Sequence, residues 1–423
     1  MKKFLALLVS LIMVLTMLTA CGGGGGGTSE GGEEGGNSDA LKVGLICLHD
    51  ENSTYDLNFL KAFEESCEKM GVESVIKKNV EEGQQCYDEA MDLVDQGCGL
   101  IFSDSFGHQD FMLQAAKEAP QVEFVSCTGD KALVSDTPNY HNAFASIYEG
   151  RYLAGVAAGM KLKELQDAGK LKGDAPKMGY VGAFTYAEVI SGYTSFYLGA
   201  KSVVPDVTMD VTFTGSWYDE TAEKEGATKL IEGGADLISQ HADSMGAPTA
   251  CENARIPDVS YNGSTKDACP KTYIISSRIN WSPFYEYAIA AVQKGEKFDT
   301  NWTGTLDTGS VELTELNTDA AAEGTQEAID KAMAGLKDGS IHVFDTSAFT
   351  VTYVDEKNFV NTSATVDGDG HLTGYMADVE ADDNYTPDTE AVSDGYFHES
   401  EYRSAPYFNA QIDGIKLLDT NFG

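Results

Sequence analysis

The residues best suited to chemistry cluster just after short apolar runs. Leu48 is followed by His49-Asp-Glu-Asn-Ser-Thr-Tyr-Asp56, Ser103 by Asp104-Ser-Phe106, and Cys127 by Thr128-Gly-Asp130. Further along stand Ala183-Phe-Thr-Tyr186, Gly215-Ser-Trp-Tyr-Asp219, His241-Ala-Asp243 and Asn262, then Ser277-Arg278 running to Trp281. Each cluster offers an aromatic ring, a side chain able to hydrogen-bond a hydroxyl or ring nitrogen, or both. Aromatic side chains stack on flat rings, and carboxylates accept from vicinal hydroxyls. Taken singly, each residue serves equally well as a cap or loop residue; Asp56 and Ser282 suit helix N-caps. Taken together, so many rings are costly to leave in water.

Reaction chemistry lacks its usual patterns. The chain has no Gly-x-Ser-x-Gly elbow, no His-Glu-x-x-His, no Walker loop and no Gly-x-Gly-x-x-Gly after the first strand. His49, His108 and His241 stand alone, without the spacing of a metal site. Asp367-Gly-Asp-Gly370 lacks the later Glu of a calcium loop and reads as a hairpin turn. No enzyme activity, cofactor or metal is expected.

The elements that must position these residues alternate in type. Lys42–Leu48, Val72–Lys77, Gly99–Ser103, Val122–Cys127 and Asn139–Ala145 read as strands. Helices fall between them at Asn58–Lys69, Gln84–Gln96 and Asp110–Ala119, the last stopped by Pro120. Such alternation implies right-handed βαβ crossovers and a parallel sheet. Ligands then bind beyond the carboxyl ends of the strands, where the clusters lie.

The pattern restarts after a long Ala- and Gly-rich helix, Ile147–Leu165. Strands are expected at Lys177–Gly182, Thr208–Thr214, Leu237–Gln240, Asp258–Tyr261 and Tyr273–Ser276. Helices are expected at Glu188–Val203, Thr221–Glu232, Gly246–Ala254 and Ser282–Lys294. After Phe344 the chain is richer in β-favouring residues and turns. Ala348–Val354 and His371–Met376 read as a hairpin with an irregular acidic loop.

The beginning of the chain speaks to location. Met1-Lys2-Lys3 is basic, Phe4 to Leu18 is nearly all apolar, and Leu18-Thr19-Ala20-Cys21 follows. The run is long enough for a signal h-region but short for a membrane span. Its end resembles the bacterial lipobox, which implies cleavage before Cys21 and acylation (diacylglycerol, palmitate) of that residue. Gly22 to Asp39 has no apolar residue to seed a core and reads as a flexible tether. About 380 residues remain, enough for two domains or lobes.

Acidic residues number 67 against 29 Lys and Arg, a net charge of −38. That balance excludes nucleic acid as a partner and a polybasic contact with anionic lipid. It suits a solvated surface. Seven cysteines follow Cys21, none in a CxxC pair. Outside a cell some can pair. Cys47 and Cys127 are expected in or at the ends of neighbouring strands, as core thiols or as a bridge. An odd number leaves at least one free.

A lipobox, a polar tether and two tandem α/β units with a return segment resemble a type I solute-binding protein. Within that class the chain is similar to the basic membrane protein family of lipoproteins, the purine-nucleoside receptor group. The resemblance runs from Leu41 to about Leu316. It rests on Asn52-Ser-Thr-Tyr-Asp56, Gly99-Leu-Ile-Phe-Ser-Asp-Ser-Phe106, Glu149-Gly-Arg-Tyr-Leu-Ala-Gly-Val-Ala-Ala-Gly159 and Lys177-Met-Gly-Tyr-Val-Gly182. Phe196-Tyr-Leu-Gly-Ala-Lys201, Gly215-Ser-Trp-Tyr-Asp219 and Gly233-Gly-Ala-Asp-Leu-Ile238 add to it.

The resemblance implies a type I periplasmic-binding-protein fold of class α/β, two doubly wound parallel-sheet lobes joined by a multi-strand hinge. Residues 41–146 with about 277–310 form one lobe, and 147–276 with about 311–345 the other. Residues 346–423 form a β-rich extension packed on the lobes. It also implies a monomeric, lipid-anchored receptor on the extracytoplasmic face of a cell membrane, which delivers a small ligand to an ABC permease. A purine nucleoside sandwiched between rings, with its ribose on acidic residues, is the implied ligand. Carried over, Tyr55 supplies the first-loop aromatic with Asp56 beside it, Phe184 the second-lobe aromatic, and Asp243 the acidic loop. Asn262 stands where the family usually has Asp, and Arg278 near its usual Lys. Ser105, Phe106, Trp217 and Trp281 complete the expected site. The departures leave room for a nucleobase, a riboflavin-like or a sugar-like ligand. A ligand-sensing signalling lipoprotein is the alternative role.

Overall fold

Apolar, β-favouring runs in the first third of the chain are buried and pair side by side, as two-faced burial in a parallel sheet requires. They are seen in a computed structural model that describes residues 40–357, 360–380 and 386–419. The basic start, Cys21 and the tether lie outside the described residues. Strands β1 (Lys42–Ile46), β2 (Glu73–Lys77), β3 (Cys98–Ser103), β4 (Glu123–Cys127) and β5 (Tyr140–Ala145) alternate with helices α1 (Thr54–Met70), α2 (Gln84–Asp95) and α3 (Gln109–Glu118).

Helix α4 (Ile147–Asp167) leads into the second unit. Strands β6 (Lys177–Gly182), β7 (Thr208–Phe213), β8 (Leu237–His241), β9 (Asp258–Tyr261) and β10 (Tyr273–Ile279) follow, with helices α5 (Ala187–Val203), α6 (Glu220–Glu232) and α7 (Gly246–Ala254) between them. Helix α8 (Ser282–Lys294) returns to the first unit and packs on α1. Strand β11 (Asn301–Gly304) joins the first sheet and β12 (Val311–Leu313) the second, before helix α9 (Thr325–Asp338).

The sheets run β11-β5-β4-β3-β1-β2 and, in the second unit, β12-β10-β9-β8-β6-β7 followed by β18 (Ile415–Leu417). All pairs are parallel except β10 with β12. The backbone therefore passes between the sheets three times, after β5, β10 and β11. This is the α/β, type I binding-protein fold that the resemblance implies.

Local chemistry sets the helix ends. Ser53, not Asp56, caps α1: its Oγ accepts from the N–H of Asp56, and Gly71 closes the helix at a φ of +65°. Asp56 sits in the first turn, where a carboxylate favours the helix dipole. Likewise Ser282 is the first residue of α8 rather than its cap, and its N–H is accepted by Asn280 Oδ1 at 3.1 Å.

The Ala-Gly stretch of α4 has a packing reason. A Cβ on Gly155 would lie 2.1 Å from the Phe196 carbonyl oxygen, and one on Gly199 would lie 2.0 Å from that of Tyr152. The two glycines let α4 and α5 cross almost backbone to backbone.

Beyond α9 the chain differs from expectation in detail. Residues 348–354 form no strand. The hairpin is β13 (Ala364–Val366) with β14 (Leu372–Ala377), and Asp367 Oδ1 accepts from Asp369 and His371 at its turn. Three short strands follow, β15 (Thr389–Glu390), β16 (Val392–Ser393) and β17 (Tyr396–Phe397). Phe344, Phe349, Phe397 and Phe408 build a small aromatic core here, with Phe344 and Phe408 stacked at 4.2 Å. Strand β18 (Ile415–Leu417) then pairs with β7, so the end of the chain is part of the second sheet.

All seven cysteines among the described residues are buried and free. Cys47 and Cys127 are not on neighbouring strands, because β3 lies between β1 and β4. Among the described residues no helix is long and apolar enough to cross a membrane.

Candidate ligand cleft

The carboxyl ends of β1, β3 and β4 face those of β6, β8 and β9 across a narrow cleft, whose empty space with open solvent included is about 360 Å³. From the first unit it is lined by Leu48, His49, Tyr55, Ser105, Phe106 and Thr128. Glu188, Trp217, His241, Asp243 and Tyr261 line it from the second. The two units touch at its edge: the Thr54 N–H donates to the Asp243 carbonyl at 3.1 Å. The Thr54 hydroxyl lies 3.4 Å from that oxygen and from the Tyr261 carbonyl.

Each lining group is held from behind. Tyr55 Oη donates to the Asp104 carbonyl at 2.5 Å, and its ring rests on Phe59. Ser105 Oγ donates to Glu82 at 2.5 Å. Thr128 has a φ of +74°, a strained conformation for a β-branched residue and of the kind found at ligand sites. Trp217 meets Phe184 edge to face at 5.1 Å, and Phe184 stacks on Tyr186 at 5.1 Å. Phe106 leans on Tyr186 from the opposite unit at 5.7 Å.

Carboxyl groups dominate the polar chemistry. Asp243 is buried, and burial together with the charges of Asp56, Glu223 and Glu188 pushes its carboxyl well above the ordinary range. His241 Nε2 lies 3.3 Å from Glu188 Oε1, while burial lowers the pKa of its ring. Behind both, the guanidinium of Arg151 stacks on Tyr261 at 4.3 Å and donates to the Gln240 carbonyl. Its Nε and Nη1 have no hydrogen-bond partner.

Beneath the floor sits a buried acid pair. Burial and the Asp56 charge push Asp104 well above the ordinary range. Burial would raise Asp56 too, but hydrogen bonds from His49, Ser53 and Asp104 outweigh it and hold that carboxyl low. The two shifts oppose: burial favours the protonated form of Asp104, and its hydrogen bonds favour the ionised form of Asp56.

Of the residues expected at the site, Tyr55, Ser105, Phe106, Trp217 and Asp243 line this cleft. Phe184 lies one layer back, behind Trp217. Asp56 faces inward, accepting from the His49 N–H at 2.7 Å and from Ser53 Oγ at 2.5 Å. Three others are not among its lining residues. Asn262 has a φ of +64° and a buried amide nitrogen without a partner. Arg278 pairs across the β10–β12 ladder with Glu312 at 2.7 Å. Trp281 is buried on Phe59, rings stacked at 4.4 Å.

Glu188 and Tyr261 were not singled out from sequence, and His241, though named in its strand-end cluster, was not assigned to the site. Glu188 opens a helix, and His241 and Tyr261 are the last residues of their strands. Attention to final strand residues, rather than only those following, finds Tyr261.

Two parallel sheets, three crossings and a ring-lined cleft at the strand ends define a type I solute-binding protein. The chain belongs to the Bmp family, the PnrA-like ABC transporter substrate-binding proteins, whose sequence pattern matches residues 46–342. A purine-binding protein of Brucella abortus is 31% identical over 312 residues, 72% of this chain and 83% of the relative. An ABC transporter nucleoside-binding protein of Lactococcus lactis is 27% identical over 338 residues, 73% of this chain and 91% of the relative. A putative ABC transporter glucose-binding protein of Haloferax volcanii is 32% identical over 225 residues, 53% of this chain and 54% of the relative. Among solved structures, an ABC transporter solute-binding protein of Aeropyrum pernix superposes with a TM-score of 0.61 at 17% identity, over 75% of this chain and 95% of its own. The chain is accordingly an ABC transporter substrate-binding protein, a class that binds small solutes rather than transforming them.

Proposed function

We propose that this protein is the lipid-anchored extracytoplasmic receptor of an ABC importer and captures a purine nucleoside between its lobes. The carrying observation is the composition of the cleft wall. Tyr55, Phe106, Trp217 and Tyr261 offer rings from both units, Asp243 and Glu188 offer carboxyls, and no Lys or Arg lines the cleft among the described residues. Rings suit a base, and carboxyls and hydroxyls suit a ribose. The missing cation disfavours a phosphate, so the nucleoside rather than the nucleotide fits. Relatives named for purine and nucleoside binding support the same reading.

Binding and hinge closure would present the closed form to the permease. Acylated Cys21 would keep the receptor close to that partner and raise its effective concentration. Mass spectrometry of the mature N-terminal peptide tests the anchor, which predicts a diacylglyceryl mass on Cys21. A thermal-shift screen tests the ligand: a purine nucleoside at high excess should raise the melting temperature by several degrees. No response to any nucleoside, together with none in co-purified material, would end this reading. A sugar is the second reading, favoured by the Haloferax relative; glucose and ribose in the same screen decide between them.

A further inference from the structure

The cleft does not end at its own walls. Phe106, Thr128 and Glu188 line both it and a second chamber of about 1760 Å³, part of it open to solvent. The far side of that chamber is built by the C-terminal part of the chain. Tyr375, Met376, Arg403, Pro406, Tyr407 and Asn409 contribute there. All six lie outside residues 46–342, where the family pattern matches. The far wall of the chamber is thus built by residues beyond the shared family pattern.

This wall is anchored to both units. Strand β18 extends the second sheet, and Tyr193 Oη on α5 donates to Gln411 at 2.8 Å. Ser404 Oγ donates to Asn301 Oδ1 on β11 of the first sheet at 2.7 Å. A loose appendage would not be pinned at so many points, so the chamber is a fixed feature beside the cleft.

Its chemistry selects what enters. Tyr186, Tyr375, Tyr407, Met376 and Pro406 give a largely apolar, aromatic lining. Asp130 and Glu188 give carboxyls. Arg403 is the only Lys or Arg among the described lining residues, and four of its five N–H donors go to backbone carbonyls. Nε serves the Ala405 carbonyl at 3.1 Å, Nη1 the Asp378 and Val379 carbonyls at 3.3 and 3.1 Å, and Nη2 the Pro406 carbonyl at 2.9 Å. Its Nη1 also lies 3.7 Å from Asp130. A phosphate or carboxylate would meet the Asp130 and Glu188 carboxyls here, with only this largely engaged cation to offset them.

We propose that the chamber is a second subsite, and that the physiological ligand is a nucleoside carrying an uncharged or cationic apolar appendage that reaches past Phe106 and Glu188 into it. This rests on the nucleoside reading of the cleft and adds the substituent. A plain nucleoside leaves the chamber to water, whereas a ring placed against Tyr375 and Met376 removes apolar surface from solvent.

The test compares three probes by calorimetry on the full mature protein: adenosine, N6-benzyladenosine and 5′-S-benzyl-5′-thioadenosine. The two derivatives send a benzyl group out from opposite ends of the nucleoside. One of them should bind about ten-fold or more tightly than adenosine, as a buried apolar group commonly provides. Met376→Trp and, independently, Asn409→Trp fill the chamber and should erase that advantage. Melting temperatures of both variants confirm folding. Adenosine binding with no gain from either appendage overturns the chamber and leaves the nucleoside reading standing. An advantage that survives both tryptophan variants also overturns it. If none of the three probes binds, the nucleoside reading falls and this inference falls with it.

Discussion

The backbone N–H of Thr54 in the first unit donates to the backbone carbonyl of Asp243 in the second, 3.1 Å away. This contact joins the first turn of α1 to the acidic loop after β8, at the rim of the cleft. It ties lobe closure to the same loop that offers Asp243 to the ligand. Thr54→Pro removes this bond, and comparison with Thr54→Val, which lacks only the hydroxyl contacts, isolates its contribution. Proline is tolerated at the first helical position, and Ser53 is already extended at a ψ of 128°, as a residue before proline prefers. Relative to Thr54→Val, one hydrogen bond of about 0.5–1.5 kcal/mol would be lost from the closed form. Nucleoside affinity should fall roughly 2- to 10-fold. The open form should gain population in small-angle scattering of the liganded protein. An unchanged affinity would mean that the rim contact plays no part in closure.

The ring sandwich makes a graded prediction. Tyr55→Ala and Trp217→Ala each remove a ring from the cleft wall and should weaken binding by about 1–3 kcal/mol. Phe184→Ala removes only the support behind Trp217 and should cost less. Trp281→Phe and Arg278→Gln lie off the wall and should leave affinity within about 0.5 kcal/mol. Titration of the five variants by calorimetry checks the order; a loss at Arg278 as large as at Trp217 would contradict the placement of the site.

Much of this arrangement is legible in the chain, for definable reasons. Runs such as Gly99-Leu-Ile-Phe-Ser103 and Lys177-Met-Gly-Tyr-Val-Gly182 must be buried strands, and alternation with helices forces parallel crossovers. Ring-bearing loops at strand ends therefore had to meet. The direction of one side chain is harder to read. Trp281 and Arg278 lie close to the cleft in sequence, but a stacking partner at Phe59 and a carboxylate at Glu312 decide where they point. Those partners come from distant segments. For the same reason the capping role went to Ser53, whose neighbour Asp56 is drawn down onto His49 and Asp104. The C-terminal wall was least legible. Strand β18 has three residues, too few for periodicity, and its place is set by the edge of β7.

The crossing of α4 and α5 should be intolerant of side chains. Gly199→Ala places a methyl carbon against the Tyr152 carbonyl, which is backbone and cannot rotate away. Destabilisation of roughly 1–3 kcal/mol is expected. Gly368→Ala, where a Cβ meets nothing within 4 Å, is the matched control and should be near neutral. Urea titration measures both, and equal midpoints would show that the helices separate at little cost.

Acidity should stabilise this protein, despite its many carboxylates. Burial pushes Glu223, Asp258 and Glu399 each up to about 7. It pushes Asp104 and Asp243 up as well. Groups with a folded pKa above the unfolded one bind their proton more tightly when folded. Their contribution is complete below about pH 4, where the unfolded chain is also protonated, and is lost as the pH climbs towards 7. Asp56, held low, acts in the opposite sense and withdraws its contribution only as the pH falls below about 4. The buried rings of His108 and His241, also held low, withdraw theirs as the pH falls below about 6.5, two groups against the five raised carboxyls. The melting temperature should therefore be higher at pH 5 than at pH 8. Each of the first three carboxyls accounts for on the order of 3 kcal/mol at most. Glu399→Gln tests one of them, since the amide oxygen can still accept from the Tyr407 and Phe408 N–H groups now served by Glu399 Oε2. Calorimetry across this range should show a shallower decline for the variant. A melting temperature that rises from pH 5 to pH 8 would mean that these carboxyls are ionised in the folded protein.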